Sequence, residues 1–82
     1  MPSDDLEAQH KRRHDAHLRA AENHQGAAVR HDTAAATFEQ VGDIARAEQE
    51  RILAYDQRRK AFVARQRALA EHDSGMDTTA GP

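Results

Sequence analysis

The chain has 82 residues, a formal net charge of −2 and no cysteine, and much of its 38% hydrophobic fraction is alanine. A chain of that size has room for one small domain with little interior, and without cysteine it forms no disulfide and no thiolate metal site. No apolar run reaches the length of a secretory core or a membrane span, which excludes a membrane-embedded role and gives the expectation of a cytoplasmic protein.

Met1 to Ser3 reads as a short lead. Asp4 and Glu7 then have the spacing of a capping box, so a helix is predicted from residue 4 to residue 41. Within it one register repeats every seven residues, as His10, His17, His24 and His31 and then Phe38. The pair Ala20-Ala21 recurs at the same interval as Ala27-Ala28 and Ala34-Ala35. That period belongs to a helix that keeps one face against a neighbour. Gly26 is the one interior breaker and costs about 1 kcal/mol relative to alanine, so a kink is expected near Asn23 to Gly26 if anywhere. An unbroken helix here spans on the order of 55 Å.

Gly42-Asp43 is the clearest punctuation in the chain. Glycine can take the left-handed conformation that ends a helix and aspartate can cap the next, so a tight turn at 42–43 is predicted. A second helix follows over 44–72, with Ile52, Tyr55, Phe62 and Leu69 on one side and Leu53 and Val63 widening that stripe. Residues 73–82 show no periodicity and read as a disordered tail.

Folding back at Gly42 gives an antiparallel pairing in which facing positions have numbers that sum to roughly 84. Phe38 then lies near Ala47 and Glu48, Ala28 near Tyr55 or Asp56, Ala21 near Phe62 or Val63, and His14 or Asp15 near Leu69. Large side chains of the second helix are expected to enter holes between alanines of the first. The predicted interface is therefore Ala21, Ala28, Ala35, Phe38, Ile52, Tyr55, Phe62 and Leu69. The fold class is an all-α antiparallel two-helix hairpin, coiled-coil-like with an alanine-rich interface. So few large apolar residues leave a lone hairpin marginal. Dimerisation to a four-helix bundle is expected, through the stripe carrying Ile52, Leu53, Phe62 and Val63.

The run Ala34-Ala35-x-x-Phe38-x-x-x-Gly42-Asp43-x-x-x-Ala47, with Ala54 seven further on, resembles the turn and second helix of a tetratricopeptide repeat and covers roughly a third of the chain. The resemblance implies small residues where two helices approach closely. The second helix here is longer, the closing proline is absent and there is no second copy. Solenoids need about three units, so the resemblance implies a hairpin without a peptide-binding function. The His/Ala heptads are also similar to small uncharacterised helical proteins of high-GC bacteria, which fits the heavy use of Ala, Arg and Asp.

His10, His14 and His17 stand at i, i+4 and i+7 and share one helix face, where they could hold zinc or another transition metal with Glu7 as an oxygen ligand. An evenly spaced ladder of imidazoles differs from the defined ligand set of a metal site. The weightier reading places the histidines half-buried at the edge of the helix pair, bonding to carboxylates across it or to water. Stacked imidazoles in one register also predict a hairpin less stable as the pH falls towards about 5.

Lys11, Arg12, Arg13 and Arg19 come beside Arg58, Arg59, Lys60, Arg65 and Arg67 in the pairing, a basic open end that could attract nucleic-acid phosphates. Against this stand the negative net charge, the scarcity of aromatics and the absence of a helix-turn-helix pattern. The segment 31–57 is acidic through Asp32, Glu39, Asp43, Glu48, Glu50 and Asp56, so tips of some copies could meet open ends of others. No nucleophile–base pair or phosphate loop is present, and a two-helix hairpin has no cleft that excludes water. The expected function is a non-enzymatic interaction or assembly module without a cofactor. It acts as a homo-oligomer or with a helical protein partner, and without a membrane or small-molecule substrate. Metal binding through His10, His14 and His17 and nucleic-acid association through Lys11, Arg12, Arg13, Arg58, Arg59 and Lys60 are the alternatives.

Overall fold

A computed structural model describes residues 2 to 79, and the side chains of residues 5 to 72. The chain forms two helices, α1 over Pro2–Gln40 and α2 over Ile44–Thr79, and among the described residues there is no strand. They lie against each other as a hairpin with Cα extents of 63 × 17 × 11 Å, one layer thick. None of the described helices is long and apolar enough to cross a membrane.

Two expected boundaries change, and the helix expected to run through Gly26 does so. Helix α1 starts at Pro2, ahead of the Asp4 cap, because proline is tolerated in a first turn whose amides lack intrahelical partners anyway. It passes Gly26 without a break: one glycine weakens a helix by about 1 kcal/mol, and the flanking alanines and long side chains favour continuation. Helix α2 runs beyond His72 to Thr79, over residues expected to be disordered, since the glycine at position 75 carries the same modest cost and no proline intervenes. The rest of the expected tail, 80–82, lies outside the described residues.

The turn forms where predicted, and the backbone explains why it is tight. Gly42 has φ of 81°, the left-handed region that side chains disfavour. The amide of Asp43 donates to the carbonyl of Phe38 at 2.8 Å and that of Gly42 to Glu39 at 3.0 Å, the two bonds of a Schellman motif. Asp43 then caps α2, its Oδ1 accepting from the amide of Arg46 at 3.2 Å. The Arg46 guanidinium lies 5.7 Å from the centre of the half-buried Phe38 ring and closes the tip.

The two helices bury alanine against alanine. Ala21, Ala28 and Ala35 of α1 and Ala47, Ala54, Ala61, Ala64 and Ala68 of α2 form the whole buried core among the described residues. The expected fit of large α2 side chains into α1 holes is not what forms. Tyr55 is 65% exposed, Phe62 60% and Leu69 53%, while Ile52 is also open at 66%. Helix α2 is turned by one residue from that arrangement, so that Ala47, Ala54, Ala61 and Ala68, each directly before or seven from such a position, face inward. The register itself stands where the turn sets it: Arg13–Glu71 and Phe38–Arg46 lie on it, and the other contacts across the seam fall to either side.

Candidate interaction face and the polar seam beneath it

The polar residues of the seam account for the turned helix. His10, His24 and His31 sit half-buried on α1, one heptad or two apart, and each needs an acceptor from α2. His10 Nδ1 donates to Glu71 at 2.9 Å, His24 Nδ1 to Gln57 at 2.7 Å and His31 Nδ1 to Glu50 at 2.5 Å. Those acceptors stand three residues after Ala47, Ala54 and Ala68, so the orientation that buries the alanines also presents Glu50, Gln57 and Glu71. With the Tyr55-Phe62-Leu69 stripe inward instead, each rung would meet the next residue along, Arg51, Arg58 or His72, and neither arginine can accept from an imidazole.

His17 is the exception in the ladder. It is half-buried and its place in the register is opposite Ala64, a residue with no acceptor to offer. His14 lies on the alanine line of α1; its Nδ1 is 3.3 Å from Asp15, and its ring centroid is 5.9 Å from that of His72. Among the described residues no three metal-ligating side chains come together to hold an ion. The expected trio of His10, His14 and His17 is therefore not assembled as a site: His10 turns to Glu71 and His14 to Asp15.

The carboxyl of Glu71 is held below its usual range, first by the hydrogen bond from His10. Partial desolvation opposes that effect, and the charges of Arg13, 4.0 Å away, and of His10 and His17 add to it.

Outside the seam, ion pairs tie the helices along one edge, Arg58 with Asp32 and Arg51 with Glu39, with each side chain a little under half exposed. All six residues expected to meet phosphates, Lys11, Arg12, Arg13, Arg58, Arg59 and Lys60, are exposed. Arg58 is engaged by Asp32, Lys60 by Asp56 at 3.1 Å, and Arg13 touches Glu71. On the other edge a shallow open groove of about 280 Å³ runs over Ala20, Val63 and Ala64, with Arg59, Lys60 and Arg67 at its rim. From α1 only Ala20 and His24 line it.

The large apolar residues remain. Ile52, Tyr55, Phe62 and Leu69 recur at intervals of three, seven and seven on the side of α2 turned away from α1. Val63, in the groove, is 41% exposed, and Leu53 is 45% exposed. Ala21, Ala28 and Ala35 lie inside the hairpin as expected, whereas Ile52, Tyr55, Phe62 and Leu69 lie outside it, and Phe38 belongs to the tip. The residues not anticipated are Ala61, Ala64 and Ala68 and the acceptors Glu50, Gln57 and Glu71. The signal for them was the alanine heptad Ala47-Ala54-Ala61-Ala68 running in phase with those acceptors. The chain matches no family model, no curated protein and no solved structure.

Proposed function

We propose that this chain is a non-enzymatic helical-hairpin interaction module, whose contact surface is the outer face of α2 and whose simplest assembly is a pair of hairpins forming a four-helix bundle. One observation carries the reading: the hairpin buries methyl groups and leaves Ile52, Tyr55, Phe62 and Leu69 more than half exposed. Burying a methyl group contributes about 0.8 kcal/mol, whereas each large side chain offers about 1.5–3 kcal/mol that the isolated hairpin does not use. An exposed stripe of that kind, spaced for a helix, is the mark of a contact surface. The close alanine seam supports the same reading, because it fixes the face on a stiff rod without consuming it.

The lone tyrosine provides the test, since Tyr55 sits in the middle of the face and the chain has no tryptophan. Acrylamide quenching of its fluorescence should be weak in the wild type at concentrations where sedimentation gives a mass above 9.1 kDa. In Phe62→Asp the mass should fall to that of one chain, quenching should become free, and helicity should be kept. A wild type at 9.1 kDa with Tyr55 freely quenched at every concentration overturns the proposal, as does loss of helicity in Phe62→Asp under conditions where no association occurs.

A further inference from the structure

The outer face of α2 carries more than its apolar residues. Glu48, Ile52, Tyr55, Arg59, Phe62, Gln66 and Leu69 follow one another at alternating intervals of four and three, the spacing of a second helix-contact seam on a helix whose first seam is occupied by α1. Charge along the same helix is split at Gln57. Before it stand Glu48, Glu50 and Asp56 against Arg46 and Arg51; after it stand Arg58, Arg59, Lys60, Arg65 and Arg67 against Glu71. The turn region of α1 shares the negative sign through Asp32 and Glu39, while its open-end half balances Lys11, Arg12, Arg13 and Arg19 against Asp4, Asp5, Glu7, Asp15 and Glu22. The hairpin is thus a rod with an acidic tip, and its basic half is carried by α2.

We infer that the occupant of this face is a second copy of the chain, with α2 lying antiparallel on α2 about a two-fold axis near Gln57. The inference rests on the proposed interaction role and adds its partner, direction and register. A parallel pair would align each cluster from Arg58 to Arg67 with its own duplicate, and like charges at that spacing disfavour the complex. An antiparallel pair places the acidic half of each rod beside the basic half of the other. The apolar positions choose the axis. With it near Gln57, Phe62 of each copy meets Ile52 of the other, and Arg59 of each lies over Tyr55 of the other, a pairing of cation with aromatic face. The flanking Glu48 reaches Gln66 and Arg65 of the second copy. Sliding by half a heptad towards the open end would pair Ile52 with Leu69 but would centre the axis within the basic cluster. Being two-fold, the contact closes on itself without leading to fibres. Arg59, Arg65 and Arg67, which have no carboxylate within 4.0 Å among the described residues of their own chain, then face the acidic half of the other copy.

The absence of native cysteine makes cross-linking a clean test. Glu48→Cys and Gln66→Cys, both at exposed polar positions, are made singly, checked for wild-type helicity and mixed under oxidising conditions. The mixture should give a disulfide-linked heterodimer several-fold in excess of either self-linked species. In the inferred pair two copies of residue 48 stand about 27 Å apart, far beyond disulfide reach. Raising the salt from about 0.05 to 0.5 M should weaken the wild-type dimer several-fold. Dominant self-linking of Glu48→Cys shows a parallel pair and overturns the inference. Equal yields of all species, or a dimer of wild-type mass that links in no combination, overturn its register. Those results leave the interaction role standing, because Tyr55 remains shielded; a monomer with Tyr55 open defeats both.

Discussion

Helix α2 carries two heptad stripes side by side, and the fold treats them oppositely. Ala47, Ala54, Ala61 and Ala68 are at most 1% exposed, while Tyr55, Phe62 and Leu69, each one residue further on, are more than half exposed. Judged by hydrophobicity alone the second stripe should have gone inside. The difference teaches that in a two-helix layer the inner face is chosen by fit and by polar satisfaction. Small side chains let the helices approach to the close end of the usual 8–10 Å axis separation, roughly, and the same rotation supplies His10, His24 and His31 with acceptors.

The comparison breaks most severely if the two stripes are made alike. Ala54 has no exposed surface, so Ala54→Phe forces the helices apart and should cost about 3 kcal/mol or more, at the upper end for overpacking. Phe62→Ala, eight residues on and on the outer stripe, should change the stability of a dilute, monomeric hairpin by less than about 0.5 kcal/mol. Urea titrations followed by circular dichroism at low concentration measure both. Similar losses at the two positions would mean that Phe62 also belongs to the hairpin core.

Next in size is the turn that fixes which faces meet. Gly42→Ala adds a Cβ that touches nothing within 4 Å, yet places a side chain at φ of 81°. The loss should be about 1–2 kcal/mol from backbone strain alone. Gly26→Ala is the counterpart with opposite sign. Its Cβ would come to 3.5 Å from the Arg30 guanidinium, an ordinary contact, so the variant should gain about 0.5–1 kcal/mol. Thermal melts of the two variants should move in opposite directions from the wild type.

The sequence made the hairpin legible through punctuation and period: Gly42-Asp43 gave the turn, and the histidine and alanine heptads gave the inner face of α1. For α2 it offered two stripes of equal period, and hydrophobic size pointed to the wrong one. The deciding information was long-range, since Glu50, Gln57 and Glu71 matter only once His31, His24 and His10 lie opposite them. Helix ends were the other miss. Pro2 and the stretch from Asp73 to Thr79 look like breakers and polar filler, but each costs a helix little when its neighbours already turn. Of the proposed contact face, the residues were readable; that they face away from α1 was not.

The smallest expected effect probes the polar half of the same seam. Glu71 has its carboxyl depressed mainly by the bond from His10, so between the folded and unfolded values the folded chain binds fewer protons than the unfolded one. Its charge therefore contributes stability above the ordinary glutamate range, near pH 4.3, and that contribution disappears as the pH falls through the depressed folded value. Glu71→Gln keeps an acceptor for His10 and removes only the charge. Melts of the two proteins should differ at pH 7, with the wild type higher, and converge once the pH has fallen through the depressed folded value, where the wild-type carboxyl is neutral as well. A gap of the same size at both ends would show that the carboxylate acts through shape and hydrogen bonding alone. The seam would then be held by packing and acceptors, with its charge playing no part in choosing the alanine face.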